Sequence, residues 1–185
     1  MEGDFKYNIG VNLTTIKNEV TYLNPLLERV SGAGIGTGWT ATYFEEGQPI
    51  WYFRGYETNG IFKNQAEIDQ YVADNGLSGY APVPGDPIVV NTNGDDLINE
   101  DDQTYIGDPH PDFLFGANFN FMYKNWDLNL FLQGTVGNDI LMAWNRTDRS
   151  TYNHPEFFFE DRCTGEGSNN HCFRAALSNP YAYTS

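Results

Sequence analysis

The sequence predicts an all-β protein that forms part of a transmembrane antiparallel β-barrel, with long extracellular loops and one short helix. Three observations indicate this class. Segments near the start and the middle of the chain alternate between apolar and polar residues over lengths that exceed those of ordinary strands. Aromatic residues make up 16% of the 185 residues, glycine is abundant and helix-forming stretches are few. The segments between the alternating stretches are long, as they are on one side of a membrane barrel.

The first predicted strand covers residues 4–16. Its apolar positions are Phe5, Tyr7, Ile9, Val11 and Leu13. The positions between them are small or polar, namely Lys6, Asn8, Gly10, Asn12 and Thr14. A period of two places these sets on opposite faces of one strand.

Residues 24–112 are predicted as an extracellular excursion between strands. Within it, residues 24–47 are expected to be a glycine-containing loop, and residues 48–62 to be strand-like with a turn near Asn59-Gly60. An excursion of this length would need a fold of its own in a compact soluble domain, whereas it is ordinary outside a barrel.

The single helix is predicted at residues 64–75. Ala66, Ile68, Tyr71 and Val72 approximate one face, and Asn64 is suited to cap the first turn. After the helix, Pro82, Pro84 and Pro87 are expected to interrupt regular structure.

A strand hairpin is predicted at residues 113–134. The segment Phe113–Tyr123 alternates over eleven residues, and a tilted membrane-spanning strand needs about 9–11. The alternation resumes at Trp126, so Lys124-Asn125 is expected to form a tight turn. A hairpin of a soluble β-sandwich would show the same alternation. Residues 145–185 are expected to be a long irregular loop.

An acidic stretch before the hairpin has the ligand spacing of a twelve-residue calcium loop. The candidate ligands are Asn91, Asn93, Asp95, the Leu97 carbonyl, Asn99 and Asp102, and Ile98 occupies the position that usually points inward. Three positions depart from the pattern: Asn91 replaces Asp, Asp96 replaces the glycine of the sharp turn, and Asp102 replaces the bidentate Glu. The alternative is an acidic turn without a metal.

The charge distribution excludes nucleic acid as a partner. The net charge is −15, whereas a phosphate-binding surface requires clustered Lys and Arg. Between Lys63 and Lys124 the chain carries acidic residues but no Lys or Arg, which favours a solvated acidic surface and a cation as partner.

No catalytic constellation stands out, so the protein is not expected to be an enzyme. His110, His154 and His171 are far apart and lie in no recognised zinc or nucleophile motif. Cys163 and Cys172 are expected to form a loop-closing disulfide, with two free thiols as the alternative. The chain shows no export signal at its start, and such a signal is expected upstream of it.

The stretch from Val90 to Ile140 resembles the C-terminal barrel region of SusC/RagA-type TonB-linked outer-membrane proteins. The elements that carry the resemblance are Asn93–Asp96, Ile106–Phe113, Gly116, Phe131–Gly134 and Gly137–Asp139. Upstream, residues 46–71 are also similar to the family. The clearest departure is Asp96, where the family often has glycine, and it weakens the calcium hypothesis.

This resemblance implies that residues 1–185 are one partial β-barrel domain of a Gram-negative outer-membrane protein. The complete transporter would surround an internal plug and import oligosaccharides or peptides with energy from TonB. Its implied partners are a SusD-like lipoprotein, TonB, the glycan or peptide substrate and outer-membrane lipid. The alternative is a soluble calcium-dependent carbohydrate-binding or adhesion module, in which the apolar face of the hairpin would be a closed core.

Overall fold

The computed structural model describes residues 3–32, 40–76, 81–141, 156–168 and 174. Its strands are β1 (Phe5–Thr15), β2 (Arg29–Ser31), β3 (Thr42–Glu45), β4 (Tyr52–Tyr56), β5 (Thr58–Ile61), β6 (Pro87–Val89), β7 (Gln103–Gly107), β8 (Phe113–Tyr123) and β9 (Trp126–Val136). The helices are α1 (Gln65–Asn75) and α2 (Glu156–Glu160), and a 3-10 turn spans Glu100–Asp102. In these ranges no helix combines the length and the apolar character that a membrane crossing requires.

The strands form three sheets, and the described residues are mostly sheet, in agreement with the all-β class. One sheet has three strands in the order β1-β8-β9, a second has the order β2-β3-β4-β7, and β5 pairs with β6. The β1–β8, β8–β9 and β5–β6 pairs are antiparallel.

Several predictions about the excursion are wrong in detail. Residues 24–47 contain β2 and β3, which are too short for a periodic pattern to reveal them. The turn expected at Asn59-Gly60 is absent, because Gly60 lies inside β5 with a φ of 86°. Pro87 begins β6, a place that proline tolerates because the first residue of a strand need not donate to the ladder. Outside the excursion, the hairpin was predicted to end at residue 134, whereas β9 continues to Val136. Gly137 follows it with a φ of 92°.

By its internal contacts the chain divides into two compact units. The first comprises Met1–Val30, Phe44–Tyr52 and Gly107–Leu141, and the second comprises Ser31–Tyr43, Phe53–Ile106 and Met142–Ser185.

The first unit is built on the β1-β8-β9 sheet, whose three strands each have eleven residues. The register is continuous: Phe5 lies opposite Tyr123, and Tyr123 lies opposite Trp126. At the other end, Thr15 lies opposite Phe113, which in turn lies opposite Val136. In the part of the chain that the structure describes, this sheet ends at β1 on one side and at β9 on the other.

The two faces of this sheet differ in character, and both are largely exposed. We call one the apolar face; it carries Phe5, Tyr7, Ile9, Val11, Leu13, Phe115, Phe119, Phe121, Tyr123, Trp126, Leu128, Leu130 and Leu132. We call the other the amide face, because it carries Asn8, Asn12, Asn118, Asn120, Asn129 and Gln133. Many of the apolar side chains are exposed: Trp126 is 80% exposed, and Val11, Leu13, Leu128 and Leu132 are each more than half exposed.

Two glycines let side chains lie flat on this sheet. A Cβ on Gly134 would lie 2.6 Å from the Phe115 ring, so that ring covers the glycine on the apolar face. A Cβ on Gly116 would lie 2.6 Å from the Asn12 side-chain oxygen on the amide face. An aromatic ring lying over a cross-strand glycine helps to fix the register of a sheet.

A two-residue turn joins β8 to β9 at Lys124-Asn125, as the alternation predicts. Lys124 adopts a φ of 52°, and a positive φ is what the favoured two-residue hairpin turns require at this position. The Lys124 amide donates to the Asp4 carbonyl at 3.2 Å, which ties the start of β1 to the turn.

The second unit is organised around a small closed core. Phe62, Ile68, Val89 and Ile98 are buried together, and Tyr71 packs against them. The helix α1 begins as predicted, because the Asn64 side chain accepts the Glu67 amide at 2.9 Å. Ile68 therefore reaches the core from α1, whereas Ile98 reaches it from the acidic loop.

Candidate functional site

The six predicted calcium ligands lie in one loop of the second unit, between β6 and β7. In its first half, side-chain oxygens accept amides a few residues ahead. Asn91 accepts from Gly94, Asn93 accepts from Asp95, and Asp95 accepts from Leu97, all at 2.7–2.9 Å. These Asx turns are the local structure that Asn and Asp favour in tight loops, whether or not a metal is present.

In the second half, Asn99 and Asp102 form a capping box around the 3-10 turn. Asp102 is completely buried, at 0% exposure. Its two carboxylate oxygens accept the amides of Thr92 at 3.0 Å and of Asn99 at 2.9 Å. Asp102 therefore closes the loop by joining its two ends.

The loop is also attached to the rest of the second unit. The Ile98 side chain is buried in the core, in the inward position that the calcium pattern predicts. The buried Arg54 of β4 donates to the Glu100 carbonyl and to the Gln103 side chain, both at 2.9 Å. These contacts place the end of the loop against the strands that flank it.

The sharp turn of the loop lies elsewhere than the calcium pattern predicts. Gly94, at the fourth position, has a φ of 73°, and Asp96 is not among the described residues with positive φ. The chain therefore turns at Gly94, two residues before Asp96, and Asp96 does not need the positive φ that the glycine of the calcium pattern adopts.

The charge and the hydrogen bonds of the six predicted ligands decide how well this loop suits calcium. Only Asp95 and Asp102 among the predicted ligands carry a negative charge. Every Asn and Asp of the set accepts a backbone amide, so the loop holds its shape through its own hydrogen bonds. Among the described residues, no group of three His, Cys, Asp or Glu side chains could hold a metal. The oxygen atoms of these side chains are of the type that calcium prefers as ligands. Calcium binding by this loop stays a prediction.

Tyr71 packs beside this loop as a protonated phenol. Burial raises the pKa of Tyr71 to about 12, and the negative charge of Asp102 adds to the effect. The phenol donates to the Val89 carbonyl at 2.6 Å. The pKa of Tyr71 in the folded protein lies above its ordinary value of 10.0. The stability that the protonated phenol contributes is therefore complete below pH 10, and it is lost as the pH rises through about 12.

A second arrangement, in the first unit, was not predicted from the sequence. We call it the clasp; it is formed by Gly107–Asp112 and Gly137–Asp139. The Asp139 carboxylate accepts the Asp108 amide at 3.1 Å, and the Asp139 amide donates to the Asp108 carbonyl at 2.7 Å. The Asp112 amide donates to the Val136 carbonyl at 2.9 Å. The only signal in the sequence is the spacing of the GDPHPD and GND elements, which gives no hint that the two segments touch.

The clasp leaves no room for a side chain at its two glycines. A Cβ on Gly107 would lie 2.8 Å from the Asp139 Cγ, and a Cβ on Gly137 would lie 2.5 Å from the Asp112 Cγ. The His110 ring belongs to the same region, with its Nε2 donating to the Ile50 carbonyl at 2.8 Å. These contacts hold the loops together where β8 begins and β9 ends.

Of the two cysteines, Cys163 lies among the residues that the structure describes. Cys163 is buried and has a free thiol in this structure. Its predicted disulfide partner Cys172 lies outside the described residues, as do His154 and His171.

Two proteins of Formosa agariphila are similar to most of this chain. TonB-dependent receptor P3 is 34% identical over 140 residues, which cover 75% of the chain. TonB-dependent receptor P26 is 32% identical over 157 residues, which cover 83% of the chain. No family model matches the sequence.

The matched regions are a small part of these relatives. They cover 14% of the length of the first and 15% of the length of the second. The chain thus corresponds to one segment of much longer proteins.

Proposed function

Since this chain is a homologue of part of the TonB-dependent receptors, we propose that it forms a piece of the barrel wall of an outer-membrane transporter of the SusC/RagA type. The complete protein would import an oligosaccharide or peptide, powered by TonB and capped by a SusD-like lipoprotein. The observation that carries the proposal is the β1-β8-β9 sheet, which exposes an apolar face and an amide face on long strands.

The dimensions of this sheet suit a bilayer. Eleven residues extend about 33 Å along a strand, which corresponds to a height of about 25 Å when the strand is tilted by about 40°. The outward apolar band of a membrane barrel is about 25 Å tall. Tyr123 and Trp126 lie at the turn end of the apolar face, where interfacial aromatic residues are enriched.

The same sheet suggests an orientation. Turns between barrel strands are short on the periplasmic side and long on the extracellular side. The Lys124-Asn125 turn would therefore face the periplasm, and the acidic loop and the clasp would lie on the extracellular side. The apolar face would contact lipid, and the amide face would point into the barrel, toward the internal plug.

Leu130→Arg tests which face contacts lipid. Leu130 lies near the middle of β9 on the apolar face, so we expect the arginine to destabilise folding into lipid bilayers by about 2–4 kcal/mol. Asn129→Arg is the matched control, because Asn129 is the neighbouring residue on the amide face. The measurement is urea-dependent folding into vesicles, followed by tryptophan fluorescence.

Equal effects of the two arginines would contradict the assignment of faces. A chain that folds cooperatively as a monomer without detergent would instead favour the soluble calcium-dependent module, to which the closed core of the second unit could belong.

We further propose that the acidic loop binds calcium weakly and braces the extracellular side. With two charged ligands, we expect a dissociation constant on the order of 10⁻⁴ M, as in extracellular calcium modules. Calorimetry should show heat on addition of calcium, and Asp95→Ala should abolish it. Asp101→Ala, in the same loop but outside the ligand set, should retain binding. The absence of heat from the unsubstituted protein would rule out the site.

A further inference from the structure

The sequence contains three Asn-Gly steps, and the structure holds them in different ways. They are Asn59-Gly60, Asn75-Gly76 and Asn93-Gly94. Because glycine has no side chain, its backbone nitrogen can approach the carboxamide of the preceding asparagine closely. An Asn-Gly step is therefore where an asparagine side chain loses ammonia most readily. The contacts around each step decide which of the three is open to this reaction.

Asn75-Gly76 is held by the end of α1. The Asn75 Nδ2 donates to the Tyr71 carbonyl at 3.1 Å. The Gly76 amide donates to the Val72 carbonyl at 3.0 Å. Both hydrogen bonds belong to the last turn of the helix, so attack by the Gly76 nitrogen requires that this turn open first.

Asn59-Gly60 is held by a strand pair. Both residues lie inside β5, which pairs with β6. Val89 of β6 is buried in the core of the second unit, and Phe62 follows directly after β5 in the same core. Separating the two strands at Asn59 would disturb that core, so this step is also protected by structure.

Asn93-Gly94 differs from the other two because it lies in no helix or strand. Both ends of the Asn93 carboxamide contact Asp95. The Asp95 amide donates to the Asn93 Oδ1 at 2.9 Å, and the Asn93 Nδ2 donates to the Asp95 carboxylate at 3.0 Å. The first hydrogen bond stabilises the negative charge that develops on Oδ1 when Cγ is attacked. The second places a negative charge beside the nitrogen that leaves as ammonia.

One hydrogen bond opposes the reaction at this step. The Gly94 amide donates to the Asn91 Oδ1 at 2.7 Å, and this bond must open before the nitrogen can attack. Its opening breaks no helix turn or strand pair, so it costs less than the openings at the other two steps. A Cβ on Gly94 would meet no atom within 4 Å, so the Asn93 carboxamide has room to turn toward the nitrogen.

We propose that Asn93 is a site of spontaneous deamidation, promoted by Asp95. The Gly94 nitrogen loses its proton to hydroxide and bonds to the Asn93 Cγ, and the bond from Cγ to Nδ2 breaks. Nδ2 leaves as ammonia after taking a proton from water, and a cyclic succinimide remains. Addition of one water molecule opens the succinimide to aspartate or to isoaspartate at position 93. The reaction needs no oxidant, reductant or enzyme.

Both products carry a new negative charge inside the acidic loop. Aspartate keeps the backbone and raises the number of charged predicted calcium ligands from two to three. Isoaspartate lengthens the backbone by one methylene and so removes the Asx turn at this position. Because calcium affinity depends on the charge of the ligands, the two products should differ in their effect on binding. Only this consequence for calcium rests on the proposed function.

Peptide mapping by mass spectrometry measures the reaction at all three steps in one sample. In urea at neutral pH the three asparagines have the same following residue, and we expect them to react at similar rates. In the folded protein in detergent, Asn93 should react about tenfold or more faster than Asn59 and Asn75, because those two need a strand pair or a helix turn to open. Equal rates in the folded protein, or protection of Asn93 as strong as that of Asn75, would overturn the proposal.

A matched pair of substitutions tests the part that Asp95 plays. Asp95→Asn keeps the backbone amide that binds the Asn93 Oδ1 but removes the negative charge beside Nδ2, so the rate at Asn93 should fall about fivefold. Asp101→Asn removes an equal charge from the 3-10 turn of the same loop and should leave that rate unchanged. The promoted reaction is refuted if Asn93 reacts equally fast in both variants and in the unsubstituted protein.

Calorimetry with Asn93→Asp separates the deamidation site from the proposed calcium site. We expect calcium to bind this variant about tenfold more tightly than the unsubstituted protein, because the loop gains a third charged ligand. If neither protein binds calcium, the calcium site fails, whereas the reaction rates at Asn93 still decide whether the loop is modified.

Discussion

Gly137→Ala is expected to destabilise the first unit by about 3 kcal/mol. The backbone at Gly137 has a φ of 92°, and an L-residue in a left-handed conformation costs roughly 1–2 kcal/mol. The new methyl group would also lie 2.9 Å from the Asp112 Cβ, so rotation of the Asp112 carboxylate cannot relieve the clash and the backbone must shift. Overpacking of this kind costs about 1–3 kcal/mol. The measurement is urea unfolding in detergent.

Gly47→Ala separates the two contributions. Gly47 has a similar φ of 84°, but no atom lies within 4 Å of the position that a Cβ would take. Gly47→Ala should therefore lower the free energy of unfolding only by the cost of the left-handed backbone, about 1–2 kcal/mol. Asp112→Gly should recover part of the stability in the Gly137→Ala background, which a double-mutant cycle would measure. Equal losses at the two glycines would show that the clasp does not constrain Gly137.

Asp102→Ala is expected to destabilise the second unit by about 3 kcal/mol. The substitution leaves the Thr92 and Asn99 amides without their acceptors in a site that is closed to water. A buried donor without a partner costs about 1–3 kcal/mol, and hydrogen bonds to charged groups lie at the upper end of that range. Unfolding should be measured with EDTA present, so that loss of a bound cation cannot contribute.

Asp101→Ala is the control for this prediction. Asp101 is the exposed neighbour in the same 3-10 turn, and its substitution should change the free energy of unfolding by no more than about 0.5 kcal/mol. Asp102→Asn should fall between the two, because its amide keeps one of the two acceptors. A loss at Asp102 that is seen only without EDTA would mean that Asp102 acts through a metal rather than as a cap.

Periodicity was sufficient for the long elements of the fold. Alternation in Phe5–Thr15 and Phe113–Val136 locates three strands and one turn, since a strand with two different faces leaves a repeat of two along its whole length. The helix α1 could also be predicted, because Asn64 and the spacing of Ile68 and Tyr71 are both local signals.

The short elements and the clasp could not be predicted in this way. The strands β2 and β3 have three and four residues, too few to establish a repeat. The clasp depends on Asp139 meeting Asp108 across 31 positions, a contact that no local pattern encodes. In the acidic loop, the residue types of the calcium pattern also suit Asx turns and a capping box, so spacing alone cannot separate a metal site from a loop held by its own amides.

The pairing of β1 with β8 has a consequence for how the chain can change in length. These strands are neighbours in the sheet, yet the whole stretch from Ile16 to Asp112 runs between them. The entropy lost on closing a loop grows only with the logarithm of its length, by about 0.6 kcal/mol for each doubling. Insertions and deletions in that stretch should therefore leave the register of β1 on β8 intact. The stretch between the two strands can therefore change in length and sequence while the pairing of β1 with β8 is kept.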